Sequence, residues 1–115
     1  MSDVRLSPEA VDELAEAAAW YAAQRPGLES EFLAEVDRTL PLIGSSPGSF
    51  PRLLDVPTNL TIRRALLPRF PYAVIFMDLG PEVRVLAVAH TKRRPGYWLN
   101  RVERSEEHTS NSSHT

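Results

Sequence analysis

The run Val83-Arg84-Val85-Leu86-Ala87-Val88-Ala89-His90-Thr91-Lys92-Arg93-Arg94-Pro95-Gly96-Tyr97-Trp98 decides how the rest of the chain must be arranged. Its first half is apolar and rich in β-branched residues, interrupted only by Arg84, which is the pattern of a central strand. Its second half is the densest cluster of cations and aromatics in the sequence. Pro95 and Gly96 stop the strand just past this charged tip. His90, Lys92, Arg93, Arg94, Tyr97 and Trp98 are therefore expected to crowd together at one edge of a sheet.

Upstream, Asp78-Leu79-Gly80-Pro81-Glu82 closes a hairpin onto that strand from a second one, Tyr72 to Met77. Pro68-Arg69-Phe70-Pro71 turns the chain out of a third, Leu60 to Leu67. The second half of the chain is thus predicted to be a three-stranded antiparallel meander. Ser45 to Asn59, rich in Ser, Pro and Gly, reads as a loop, and residues 95–102 can add a short turn of helix.

The first half reads as helical. Asp3 to Leu6 alternates polar and apolar residues, a short edge strand. Ser7 is placed to cap a helix and Pro8 to open it, because the first helical N–H has no partner to lose. Val11, Leu14, Ala15, Ala18, Tyr21 and Ala22 fall at helical spacing, with Asp12, Glu13 and Glu16 on the opposite side, so the helix is predicted to run to about Gln24. Arg25-Pro26-Gly27 is a break suited to a helical hairpin. Leu28, Phe32, Val36, Leu40 and Ile43 form the second stripe, which Pro41 and Gly44 should end near residues 40–44. Trp20 and the Ala17 to Ala19 run are expected in the shared core, as aromatic and Ala stripes at helical spacing usually are. The fold class is α+β, a helical hairpin packed on a meander.

At 115 residues, 43% hydrophobic and 24% charged, the chain is one domain of ordinary globular composition. With no cysteine there can be no disulfide, thiol nucleophile or thiolate metal site, which suits a reducing cytosol. Charges interrupt Met1 to Leu14 before any signal-peptide core can form, and no apolar run reaches the roughly 20 residues a bilayer requires, so a cytoplasmic protein without a membrane partner is expected. The net charge of −2 hides a division. Residues 1–50 hold three basic groups against nine acids, and residues 51–103 hold nine basic groups against four acids. A cationic half of this kind suits phosphate or an acidic protein segment.

Residues 104–115 contain no apolar side chain and cannot join the core. They resemble a translated sequencing adapter and are expected to be non-native, with the native sequence ending near Glu103. Resequencing that end from source DNA tests this. His108 and His114 are accordingly set aside, which leaves His90 as the only histidine, and neither a metal centre nor a cofactor is expected. His90 is the natural proton carrier if chemistry occurs. Arg63 and Arg64 precede it on the neighbouring strand and Arg69 on the turn, but alternation forbids Arg63 and Arg64 from facing the same side, so only one can join the His90 corner. Arginine forks bind phosphate bidentately and Tyr97 can stack a base, whereas Trp98 is expected to be buried.

The order strand, helix, helix, meander, with the phrases Ile62-Arg63-Arg64, Arg69-Phe70-Pro71-Tyr72, Leu86-Ala87-Val88-Ala89-His90 and Arg93-Arg94-Pro95-Gly96-Tyr97-Trp98, resembles the RelE/ParE toxin superfamily, and its ParE-like branch in particular. The likeness covers nearly all of residues 3–102. It implies the toxin of a bacterial type II toxin–antitoxin pair, a growth inhibitor of the plasmid-stabilisation kind, held in check by a cognate antitoxin that lies over its helices and sheet. ParE-like members imply binding to DNA gyrase without nuclease chemistry. Here Arg64, Lys92, Arg93, Arg94 and Tyr97 would meet the target or a phosphate. RelE-like members imply a ribosome-dependent mRNA endoribonuclease, in which Arg63 or Arg69 would stabilise the phosphate and His90 would carry the proton. Lys92 is the only lysine in the chain, a departure from lysine-rich RelE-type clefts. An inactive remnant is the third possibility.

Overall fold

The computed structural model describes residues 1–56 and 59–102; the C-terminal tail, and with it the expectation that it is non-native, lies outside those residues. The described chain runs β1 (Asp3–Leu6), α1 (Pro8–Gln24), α2 (Leu28–Ser45), a single 3-10 turn (Pro47–Ser49), β2 (Ile62–Leu66), β3 (Tyr72–Asp78) and β4 (Glu82–His90). The strands form one sheet in the order β1-β4-β3-β2. The meander β2-β3-β4 is antiparallel and β1 lies parallel to β4, pairing Asp3 with Glu82 through Leu6 with Val85. This is the expected α+β arrangement, with β1 carried to its place by the helical hairpin.

Both faces of the sheet are covered, which explains why β3 and β4 read as continuous apolar runs rather than alternating ones. One face packs on α1 and α2 through Val74, Phe76, Val83, Val85 and Val88. The other lies under Trp98, Val102, Leu53, Val56 and Leu60, through Ile62, Ile75, Met77, Leu86 and Ala87. The predicted loop after α2 is partly ordered against the β2 edge: the Leu53 N–H donates to the Ile62 carbonyl (2.8 Å) and the Arg64 N–H to the Pro51 carbonyl (3.0 Å). An otherwise unpaired edge is thereby closed.

Local chemistry accounts for the helix ends. The Ser7 hydroxyl accepts the Ala10 N–H (3.1 Å), and Pro8 opens α1. Gly27, at φ 87°, takes the left-handed conformation between the two helices, which a side chain would resist. Three details differ from the sequence reading. The buried stripe of α1 is Ala10, Ala17, Ala18 and Tyr21 with Leu14 half-buried, while Val11, Ala15 and Ala22 face solvent, because the small residues let the helix approach β4. α2 continues through Pro41 to Ser45. Gly44, rather than ending that helix, is a point of close approach, since a Cβ there would sit 3.0 Å from both the Ser2 carbonyl oxygen and Val4 Cγ2.

The turn between β2 and β3 is tied to α2 by charge. Arg69 pairs with Glu31, and Arg25 reaches the same carboxylate at 3.0 Å. Hydrogen bonds from Arg69 and then Arg25 hold the Glu31 carboxyl below its ordinary range.

Candidate functional site

A β-bulge sets up the far end of β4. Ile75 pairs with Ala87 but Phe76 pairs with Val85, which leaves Leu86 as the extra residue. Strict alternation would put Val83, Val85, Ala87 and Ala89 on the helix face. The bulge shifts the phase so that Val88 faces the helices and Ala89 the opposite side. His90 follows Val88 in phase, and its ring meets Tyr72 edge-on at 5.1 Å.

Among the described residues no strand covers β4 beyond Leu6, and α1 and the C-terminal turn supply partners there. The Ser7 N–H donates to the Val85 carbonyl (2.9 Å) and the Ser7 hydroxyl to that of Leu86 (3.3 Å). Glu13 accepts the Val88 N–H (3.0 Å). The same carboxylate accepts the Tyr97 hydroxyl proton and forms a two-point ion pair with Arg101, at 2.9 and 3.2 Å. Arg101 also donates to the Leu86 carbonyl (3.0 Å). Glu13 thus serves α1, β4 and residues 97–101 at once. The sequence reading placed Glu13 on the solvent side and did not single out Arg101. The available signal was that Glu13 falls three residues after Ala10 and four before Ala17, on the small-residue stripe that faces β4.

The segment after β4 is shaped by its own backbone. The Thr91 N–H donates to Pro71 (2.8 Å), the Lys92 N–H to His90 Nδ1 (3.1 Å) and the Arg93 N–H to the His90 carbonyl (3.0 Å). Since Nδ1 accepts, Nε2 carries the proton of the neutral ring. Gly96, at φ 82°, reverses the chain and turns the Tyr97 ring back toward α1, and residues 99–102 form a helical turn. The Arg93 guanidinium lies over the Tyr97 ring, 3.9 Å from its centroid, with Arg101 at 5.1 Å.

A groove on the outer face gathers part of the anticipated set: Arg64, His90, Arg93, Arg94 and Tyr97 line it, over an apolar floor of Leu66, Ala73, Ile75 and Trp98. Arg64 is therefore the member of its pair that joins the corner. Arg63 points to the helix face, bound to Asp78 (3.2 Å) and to the Phe50 carbonyl (2.9 Å). Arg69 is occupied by α2, pairing with Glu31 and lying 3.9 Å from Glu35. Arg63, Arg69 and His90 do not converge. Lys92 is exposed and does not line the groove. Trp98 is buried, as its size predicts, but Trp20 is not in the core: it is 57% exposed, set edge-on against Tyr21. It borders a second depression with Tyr72 and His90. Among the described residues no group of side chains could hold a metal ion, and no helix is long and apolar enough to cross a membrane.

Burial and then the Glu13 hydrogen bond push the Tyr97 hydroxyl up to about 12. The folded state therefore favours the protonated phenol. Its stabilising contribution is complete below the ordinary tyrosine value near 10 and is lost as pH rises through about 12. Tyr97→Phe should flatten the alkaline limb of the stability profile in this window, measured by urea unfolding at stepped pH. An unchanged limb would show that Tyr97 is not the group responsible.

No family model matches the chain, and a search of curated proteins finds none similar. Among solved structures, a chain described as "Chromosomal ParDE TA system from P. aeruginosa" superposes with a TM-score of 0.67 at 17% identity, covering 78% of this chain and 96% of that one. This chain therefore shares the fold of that ParDE chain.

Proposed function

We propose that the chain is the toxin of a type II toxin–antitoxin pair, ParE-like in mode, acting by binding a target such as DNA gyrase and neutralised by a cognate antitoxin. The observation that carries this reading is the superposition on the ParDE chain over nearly that chain's whole length. The outer groove supports binding as the mode of action, because Arg64, Arg93 and Arg94 surround an apolar floor suited to an acidic protein segment. Of the residues a RelE-like nuclease would need, Arg63 and Arg69 are each engaged in ion pairs away from His90. The binding reading is therefore favoured over ribosome-dependent mRNA cleavage.

Induced expression in a bacterium, alone and with any small reading frame found beside the gene, tests the reading. The expected result is growth arrest with filamentation and DNA damage, relieved by co-expression of the neighbouring frame. His90→Ala should leave the arrest largely intact. Arg64→Glu with Arg94→Glu should weaken it on the order of tenfold or more, because like charges would then face the acidic partner. Cut mRNA, with activity abolished by His90→Ala in a folded protein, would replace this reading with the nuclease. No arrest at all would leave only a remnant.

A further inference from the structure

We propose that Glu13 is a positioning residue for the outer groove: through Tyr97 it holds Arg93 as a preset fork for the carboxylate of an acidic, apolar protein segment. This rests on the reading of that groove as the target-facing surface.

The argument begins with Tyr97, which cannot serve as a free stacking platform. Its hydroxyl is held by Glu13 and the Arg93 guanidinium covers its ring at 3.9 Å. An incoming base would have to displace that cation. What the ring does offer is a flat support. An arginine laid on an aromatic face loses little further freedom when its N–H groups meet a planar carboxylate, so more of the bidentate interaction survives as affinity. The support is itself fixed from behind. Glu13 grips Tyr97 and Arg101 together, and Arg101 is anchored to the Leu86 carbonyl at the bulge. Arg93 is exposed, and its own backbone N–H makes a local bond, to the His90 carbonyl. Its placement therefore depends on this stack.

The occupant follows from what surrounds the fork. Leu66, 56% exposed, borders the groove together with Leu53. Apolar side chains beside Arg64 and Arg94 suit glutamate and leucine more than a single-stranded nucleic acid, whose bases would need an open ring face to stack on.

The test exploits a sign. If Glu13 acted only through its charge, removing it would strengthen anion binding at the groove, because a nearby acid repels the ligand. Positioning predicts the reverse. The probes are a short peptide alternating Glu and Leu and, as a separate arm, a thymidine oligonucleotide. Both are titrated into the isotope-labelled full chain while the Arg93 Nε–Hε signal is followed. The wild-type signal should carry the upfield shift of a group over a ring and should move with the peptide. Glu13→Ala should abolish that ring shift and weaken the peptide on the order of tenfold, while Glu13→Ala with Arg93→Ala should bind no worse than Arg93→Ala alone.

Should Glu13→Ala not fold, Tyr97→Phe, which removes one hydroxyl, should show a partial loss of the same kind. Unchanged or tighter peptide binding in Glu13→Ala, or an undisturbed Arg93 signal, would overturn the proposal. Tighter binding of the oligonucleotide would overturn the carboxylate assignment. The readout is independent of growth arrest: a toxin that arrests growth without binding the peptide refutes this inference alone, and Glu13-dependent peptide binding in a chain that never arrests growth refutes only the toxin reading.

Discussion

Phe32→Ala is expected to cost about 3–5 kcal/mol, a large part of the roughly 5–15 kcal/mol that holds a domain of this size together. Phe32 is 0% exposed and stands where the helical hairpin meets the sheet. Its ring lies 5.1 Å from Tyr21, 5.4 Å from Phe70 and 5.3 Å from Tyr72, all at tilted or edge-on angles that add to simple burial. Truncation removes the transfer energy of the ring and leaves a cavity that the surrounding aromatics, fixed on three different elements, cannot close. The effect should reach the functional corner, because Tyr72 packs on Phe32 at one side and on His90 at the other. Trp20→Ala is the matched control: its indole is largely in solvent, so a change within about 0.5 kcal/mol is expected. Chemical denaturation of both variants measures the contrast. Equal losses would mean that Trp20 is part of the core after all, or that Phe32 is not at its centre.

The residues that told the truth in the sequence are those whose signals are local. Ser7 and Pro8 mark a helix start through capping and a fixed φ, and Arg25-Pro26-Gly27 marks a hairpin because no helix passes a proline followed by a left-handed glycine. The strands of the meander were legible because β-branched runs flanked by turn residues have few other uses. What was not legible depends on partners distant in sequence. The parallel pairing of β1 with β4 joins residues about eighty positions apart, and nothing in Asp3 to Leu6 announces which strand it will meet. The bulge at Leu86 shifts the phase of every residue after it, and an alternation argument cannot see an inserted residue. Trp20 was assigned to the core by its type, although Tyr21 already fills that place and the small residues Ala17 and Ala18 leave the helix too near β4 for an indole. For the site, the arginine and aromatic cluster was visible in composition. The acid that organises it was hidden among ordinary helix-surface glutamates, distinguished only by facing a strand edge that lacks a neighbour.

Arg101→Ala, by contrast, removes a cation from a carboxylate that cannot relocate. Side chains of Arg101 and Glu13 are each 14% exposed, and Glu13 is pinned by the Val88 N–H and the Tyr97 hydroxyl. Without Arg101 the charge keeps those two neutral donors but loses its ion-pair partner, and the Leu86 carbonyl loses the shorter of its two side-chain bonds, keeping the long one from Ser7. Fully buried pairs broken in this way cost about 3–5 kcal/mol; with some solvent access here, about 2–3 kcal/mol is expected. The loss should come mostly from the stranded charge rather than from the bond itself. Pairing Arg101→Met with Glu13→Gln should therefore recover most of it, to within about 1 kcal/mol of wild type, since the glutamine carbonyl still accepts from Val88, its amide N–H can donate to the Tyr97 hydroxyl oxygen instead, and the methionine keeps the aliphatic bulk of the arginine stem. Urea unfolding of the two single variants and the double gives the coupling between them. If Arg101→Ala costs no more than about 0.5 kcal/mol, the pair behaves as an exposed one, and the C-terminal turn is held to the sheet by Trp98 and Val102 without help from Glu13.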